Sequence, residues 1–139
     1  MKTNFLLIVL GAFLFLIACQ PTESAAVAET PPSKKGLVKI AIMYPNGEDH
    51  TFDMDYYATK HMPMVASLFG EAMIDMEIDK GLAGRTPEDD MPYLAAGYFF
   101  FESIEAYNQA FGPNADQILG DIPNYTNIRP VIQISEVVR

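Results

Sequence analysis

The chain of 139 residues carries 18 acidic against 9 basic side chains, a net charge of −9 that repels nucleic acid and anionic lipid headgroups. Its one cysteine excludes an intramolecular disulfide framework and a paired-cysteine zinc motif. With 50% hydrophobic residues, it has material for one modest core.

Met1-Lys2-Thr3-Asn4 bears one positive charge and leads into an unbroken apolar run from Phe5 to Leu16. These are the n-region and h-region of a signal peptide. The run is well short of the roughly 20 residues of a spanning helix, so residues 1–18 are expected to be removed. Leu16-Ile17-Ala18-Cys19 resembles the bacterial lipobox, which implies diacylation of the Cys19 thiol. Two acyl chains give stable anchoring where one gives only marginal binding. Gln20 is not the aspartate that marks inner-membrane retention in enteric bacteria. The expected location is therefore the cell envelope, lipid-anchored at the periplasmic face of the outer membrane. Cleavage also removes Lys2, so lipid and not charge must hold the chain at the membrane. Residues 19–36, rich in Pro, Ser, Thr, Ala and Glu, read as a lipidated flexible tether with a reach of roughly 20–25 Å.

Residues 37–139 remain as one domain. Leu37 to Tyr44 is apolar and β-branched and stops at Pro45-Asn46-Gly47, which predicts a central strand. Asp53 can cap a helix in which Met54, Ala58, Met62, Val65 and Phe69 share a face, with a kink near His61 imposed by Pro63. Ile74, Met76 and Ile78 then alternate with Asp75, Glu77 and Asp79, which predicts a strand with one charged face. After a loop over 80–92, Tyr93 to Phe101 predicts a strand buried on both faces. Ser103 can cap a second helix ending at Gly112-Pro113, a further helical turn is expected at Ala115 to Leu119, and Val131 to Val138 predicts a last strand. The order β-α-β-β-α-β is the ferredoxin-like α+β arrangement, with both helices on one face of a four-stranded antiparallel sheet. The other face needs cover, and a homodimer with two sheets face to face, a dimeric α/β barrel, supplies it.

Three segments together carry a resemblance: Lys39 to Asn46, Tyr57-Ala58-Thr59-Lys60-His61-Met62-Pro63, and Asp121-Ile122-Pro123-Asn124-Tyr125-Thr126-Asn127. They resemble the EthD family of dimeric α/β-barrel proteins over about Val38 to Val137. The resemblance implies a small-molecule cleft between helices and sheet. The relatives of this fold include cofactor-free monooxygenases, lactone isomerases and polyketide cyclases. It implies no single reaction.

Tyr57 and His61, four residues apart on one helix, lie on the same face and could meet one ligand. His61 could act as a base while the Tyr57 hydroxyl stabilises an oxyanion, giving cofactor-free enolisation or cyclisation. The plainer alternative has His61 bonding a carbonyl at the kink and Tyr57 packing as core. Tyr44, Tyr98, Phe100 and Tyr125 are candidates to line an aromatic pocket, with ordinary core packing as their alternative. His50 with Asp75, Glu77 and Asp79 could make a hard-metal site, but carboxylates alternating along an edge strand usually face solvent, so no metal is expected. No phosphate loop or nucleophile elbow is present, and no cofactor is expected. Two functional classes follow: a cofactor-free oxidation, isomerisation or cyclisation enzyme acting on a small apolar or aromatic oxygenated compound, or a non-catalytic ligand-binding or stress-responsive envelope lipoprotein. A third, an interaction protein with a closed barrel, expects no cavity of roughly 300 Å³ or more beside His61.

Overall fold

The computed structural model describes residues 32–139. The expected signal peptide, Cys19 and most of the expected tether lie outside the described residues.

Strands β1 (Val38–Pro45), β2 (Met73–Lys80), β3 (Tyr93–Phe101) and β4 (Val131–Glu136) form one antiparallel sheet in the order β2-β3-β1-β4. Helical segments α1 (Met54–Tyr56), α2 (Met62–Phe69), α3 (Ile104–Phe111) and α4 (Ala115–Asp121) complete a ferredoxin-like α+β domain. The two inner strands carry the most apolar sequences and the two edge strands the more polar ones, as burial requires. One face of the sheet packs on the helices through Ile40, Tyr44, Ala95, Phe99 and Phe101.

Asp53 caps α1 by accepting from the Tyr56 N–H at 2.9 Å, and Ser103 caps α3 by accepting from the Ala106 N–H at 3.1 Å. The expected kink has a definite form. Between α1 and α2 the chain makes a π-helical turn over Tyr57–His61, closed by the Met62 N–H bonding to the Tyr57 carbonyl. Pro63 cannot donate, and its ring would collide with the carbonyl four residues back in a regular α-helix. Inserting one residue into the turn relieves both problems, and such turns frequently mark functional sites. Gly70 then ends α2 at φ 54, a left-handed conformation that favours glycine.

Strand β2 departs from strict alternation. A register shift between Met73 and Asp75 leaves Ile74 exposed, and Met73 packs against the core in its place. Of the expected tether, residues 32–36 lie among the described residues. Lys34 pairs with Asp75 at 2.6 Å and with Glu77, and its ammonium stands 4.0 Å above the Phe100 ring. Asp75 and Glu77 thus hold a lysine, whereas His50 bonds the Pro45 carbonyl at 2.9 Å.

Candidate functional site

The π-turn delivers Tyr57 and His61 together into the space between helices and sheet. Both are buried, at 1% and 5% exposure, with their rings stacked 5.7 Å apart and only 17° from parallel. Tyr57 fits because β3 has a glycine opposite it: a Cβ at Gly97 would lie 2.1 Å from the Tyr57 hydroxyl and 2.9 Å from the Met62 methyl. Tyr44 enters from β1 on the same face of the sheet. Tyr125 follows the short 3₁₀ turn Ile122–Asn124 after α4, where the bridge between Phe52 and Thr126 fixes the loop. Thr126 strengthens that bridge by donating to the Thr51 carbonyl at 2.7 Å.

These groups form one hydrogen-bonded chain. His61 Nδ1 lies 2.8 Å from Asp121 Oδ2, Tyr125 Oη lies 3.3 Å from His61 Nε2, and the Tyr44 and Tyr125 hydroxyls are 2.7 Å apart. Asp121 also accepts from Tyr56 Oη at 2.9 Å and from the Asn124 side-chain amide at 2.8 Å. The plainer reading of the histidine is thereby corrected in its partner: the imidazole is held by a carboxylate, not by a carbonyl at the kink.

Burial lowers the His61 pKa, and the Asp121 carboxylate opposes this only in part. Asp121 is itself held below the ordinary carboxylate range, because hydrogen bonds from His61, Asn124 and Tyr56 outweigh its desolvation. At neutral pH the pair is therefore a carboxylate and a neutral imidazole. The carboxylate takes the Nδ1 proton as its hydrogen bond, which leaves Nε2 as a bare acceptor. Burial raises the Tyr57, Tyr125 and Tyr44 pKa values, so all three stay protonated.

His61, Tyr57 and Tyr44 contribute to the wall of a cavity of about 80 Å³ whose remaining lining is mostly apolar. Leu119 and Ile132, both about half exposed, stand at its rim. The volume falls below the roughly 300 Å³ expected of a formed ligand cleft and admits about two or three waters or a very small organic molecule. Tyr125 touches His61 from behind the cavity wall. Tyr98 and Phe100, the other two pocket candidates, are not brought to this cavity. Along β3 they pair with Ala41 and Lys39, on the face opposite Phe99, because successive side chains of a strand point to opposite sides. There Tyr98 sits under Lys39 and Phe100 under Lys34.

Fold and site together define a ferredoxin-like α+β domain with a carboxylate-backed histidine at an apolar cavity. A profile of the EthD domain matches residues 45–128. An EthD-like protein from Ralstonia eutropha is similar at 42% identity, with a TM-score of 0.72 over 76% of this chain and 95% of that one. An ethyl tert-butyl ether D (EthD) family protein from Bacillus halodurans is similar at 17% identity and a TM-score of 0.49, covering 73% of this chain and 98% of that one. A dimeric protein of unknown function and ferredoxin-like fold from Bacteroides fragilis follows at 13% identity and 0.41, covering 74% and 98%. No curated protein matches. The chain belongs to the EthD family.

Proposed function

We propose that this EthD-family protein binds a small, neutral, largely apolar oxygenated compound beside His61 and moves a proton on it without a cofactor, as in enolisation, isomerisation or cyclisation. The observation that carries the reading is the hydrogen bond from the buried His61 to the part-buried Asp121 carboxylate, which sets a neutral imidazole at the wall of an apolar cavity. A neutral imidazole can take a proton, and the carboxylate behind it stabilises the imidazolium that results. The cavity has no lysine or arginine in its lining, so a ligand that arrives as an anion is disfavoured. The Tyr57 hydroxyl on the cavity wall is the donor available to an oxyanion formed on the ligand.

The test is deuterium exchange in D₂O. Acetone, sized to the cavity, and cyclohexanone, which requires Leu119 and Ile132 to move aside, are followed by proton NMR with the full chain in mild detergent. Exchange above the buffer rate that disappears in His61→Gln is expected. A folded wild-type protein that accelerates neither ketone refutes the catalytic reading. The small cavity volume favours a second reading, in which the domain is a non-catalytic binding or interaction protein of the envelope. That reading expects no exchange, with reversible binding of either ketone or none.

The setting proposed for either activity is a lipid-anchored homodimer in the cell envelope. Cys19→Ala should abolish incorporation of labelled palmitate and release the chain from the membrane fraction. Native mass spectrometry of the full chain from detergent should show two copies, and a monomer alone would remove the dimer from the proposal.

A further inference from the structure

We propose that Tyr44 and Tyr125 form a proton relay, so that a proton leaving a bound ligand enters at the Tyr44 hydroxyl on the cavity wall and reaches His61 through Tyr125. This rests on the proton-transfer reading above and assigns the route that the proton takes.

The argument starts from the direction of each hydrogen bond. Asp121 accepts from His61 Nδ1–H at 2.8 Å, so Nε2 carries no proton. The Tyr125 hydroxyl stands 3.3 Å from Nε2, and in the relay it gives its single proton to that acceptor. Tyr125 then accepts from Tyr44 across 2.7 Å, a pair in which either hydroxyl can donate and in which the relay assigns the donor to Tyr44. Every proton in the chain therefore points the same way, toward Asp121. The Tyr57 hydroxyl faces one side of the Tyr44 oxygen, whose remaining acceptor capacity is left at the cavity wall.

Occupancy supplies the second step. Nε2 is the basic atom, yet Tyr125 stands on it from outside the cavity lining, so a ligand meets the imidazole ring while the lone pair is engaged. The shortest connection from ligand to base runs through the two hydroxyls. In the transfer, a C–H or O–H bond of the ligand breaks and its proton goes to Tyr44 Oη, as the Tyr44 proton passes to Tyr125 Oη and the Tyr125 proton to His61 Nε2. The electron pair stays on the ligand as an enolate or phenolate, and the imidazolium is paired with the Asp121 carboxylate. Buried tyrosines resist ionisation, so the three hops proceed together without a free tyrosinate.

The chain has only two histidines, which makes selective labelling informative. With nitrogen-15 histidine in the full chain, His61 should show a protonated Nδ1 and a bare Nε2 at neutral pH. Tyr125→Phe should shift the Nε2 resonance while the His50 signals stay in place. A protonated Nε2, or an Nε2 resonance unmoved by Tyr125→Phe, overturns the wiring. In the acetone exchange assay, Tyr125→Phe and Tyr44→Phe should each lose roughly 100-fold in rate, as expected for removing proton transfer. Both variants retain the ring, and far-ultraviolet circular dichroism checks their fold. If Tyr125→Phe keeps or raises the rate, the freed Nε2 acts directly and the relay is wrong. If the wild type exchanges nothing, the catalytic reading fails and takes the relay with it; the nitrogen spectrum, read without ligand, shows separately whether the wiring exists.

Discussion

Removing the carboxylate behind His61 should cost the domain a defined amount of stability and change how that stability responds to pH. In Asp121→Ala the His61 Nδ1–H, on a side chain only 6% exposed, loses its charged partner. Tyr56 and Asn124 also lose a partner, but Asn124 is exposed and can turn to water. An orphaned buried donor costs about 1–3 kcal/mol, with the upper part of that range appropriate to a charged acceptor. For a domain of about 100 residues, a loss of about 2–3 kcal/mol lowers Tm by roughly 10–20 °C. Asp121→Asn keeps an acceptor oxygen and should lose about 1 kcal/mol.

The pH dependence has a definite sign. His61 has a folded-state pKa below the ordinary 6.5, because burial outweighs the Asp121 carboxylate. Above 6.5 neither state binds the proton and the full stability is present. As pH falls through 6.5 the unfolded chain takes up a proton that the folded chain refuses, so stability declines until the folded pKa is reached. Asp121, whose folded pKa is lowered from 3.8, adds stability above 3.8 that is lost only as pH falls through its lower folded value. Urea titrations at pH 5, 6, 7 and 8, read by circular dichroism, should show declining stability from pH 7 to pH 5. That decline should vanish in His61→Gln. Stability that rises toward pH 5 would show that Asp121 overcomes the desolvation of His61 and would refute the neutral imidazole.

Three further outcomes are expected. Gly97→Ala places a methyl group on the Tyr57 hydroxyl and should lose about 1–3 kcal/mol by thermal unfolding, and adding Tyr57→Phe should return part of it. Phe100→Ala removes a buried ring on the outer face of the sheet and should lose about 3–5 kcal/mol. Lys34→Ala, which removes a part-exposed ion pair from the same place, should lose no more than about 1 kcal/mol, with a difference from wild type that shrinks in high salt.

The elements were legible because their signals are local: alternation in β2, capping by Asp53 and Ser103, and the breaks at Pro45 and Gly112. The pairing of Tyr57 with His61 was legible too, since four-residue spacing on a helix is nearly fixed. The kink at Pro63 was readable, but its resolution as a π-turn was not, because several backbone rearrangements satisfy a missing donor. Asp121 was the member of the candidate site that the spacing of residues did not reveal. It lies 60 positions from His61, and only the path of the chain through α4 brings them together. Its place at the head of the Asp121-Ile122-Pro123-Asn124-Tyr125 segment was the available signal. Tyr98 and Phe100 were separable from Tyr44 by a rule already in hand, since Phe99 between them faces the helices and its neighbours must face away. The bulge at Ile74 had no such marker.

The chain from Asp121 to Tyr44 is an expensive way to fill a core, and that bears on why it exists. An imidazole and two phenols must all find partners once buried, and among the described residues no buried side-chain nitrogen or oxygen lacks one. Leucine and phenylalanine in the same volumes would need none of this, and swaps of buried polar groups for apolar ones are often neutral or stabilising. The network also joins parts of the chain that packing already holds, since the Phe52–Thr126 bridge and the aromatic cluster of Phe52, Tyr57 and Tyr125 fix the same loop against the first helix. Stability therefore supplies little reason for the polar residues, and the common orientation proposed for their protons supplies another. A network serving only to fasten the loop has no need to direct every proton toward one carboxylate and to leave its far end open at a cavity. Proton transfer needs both.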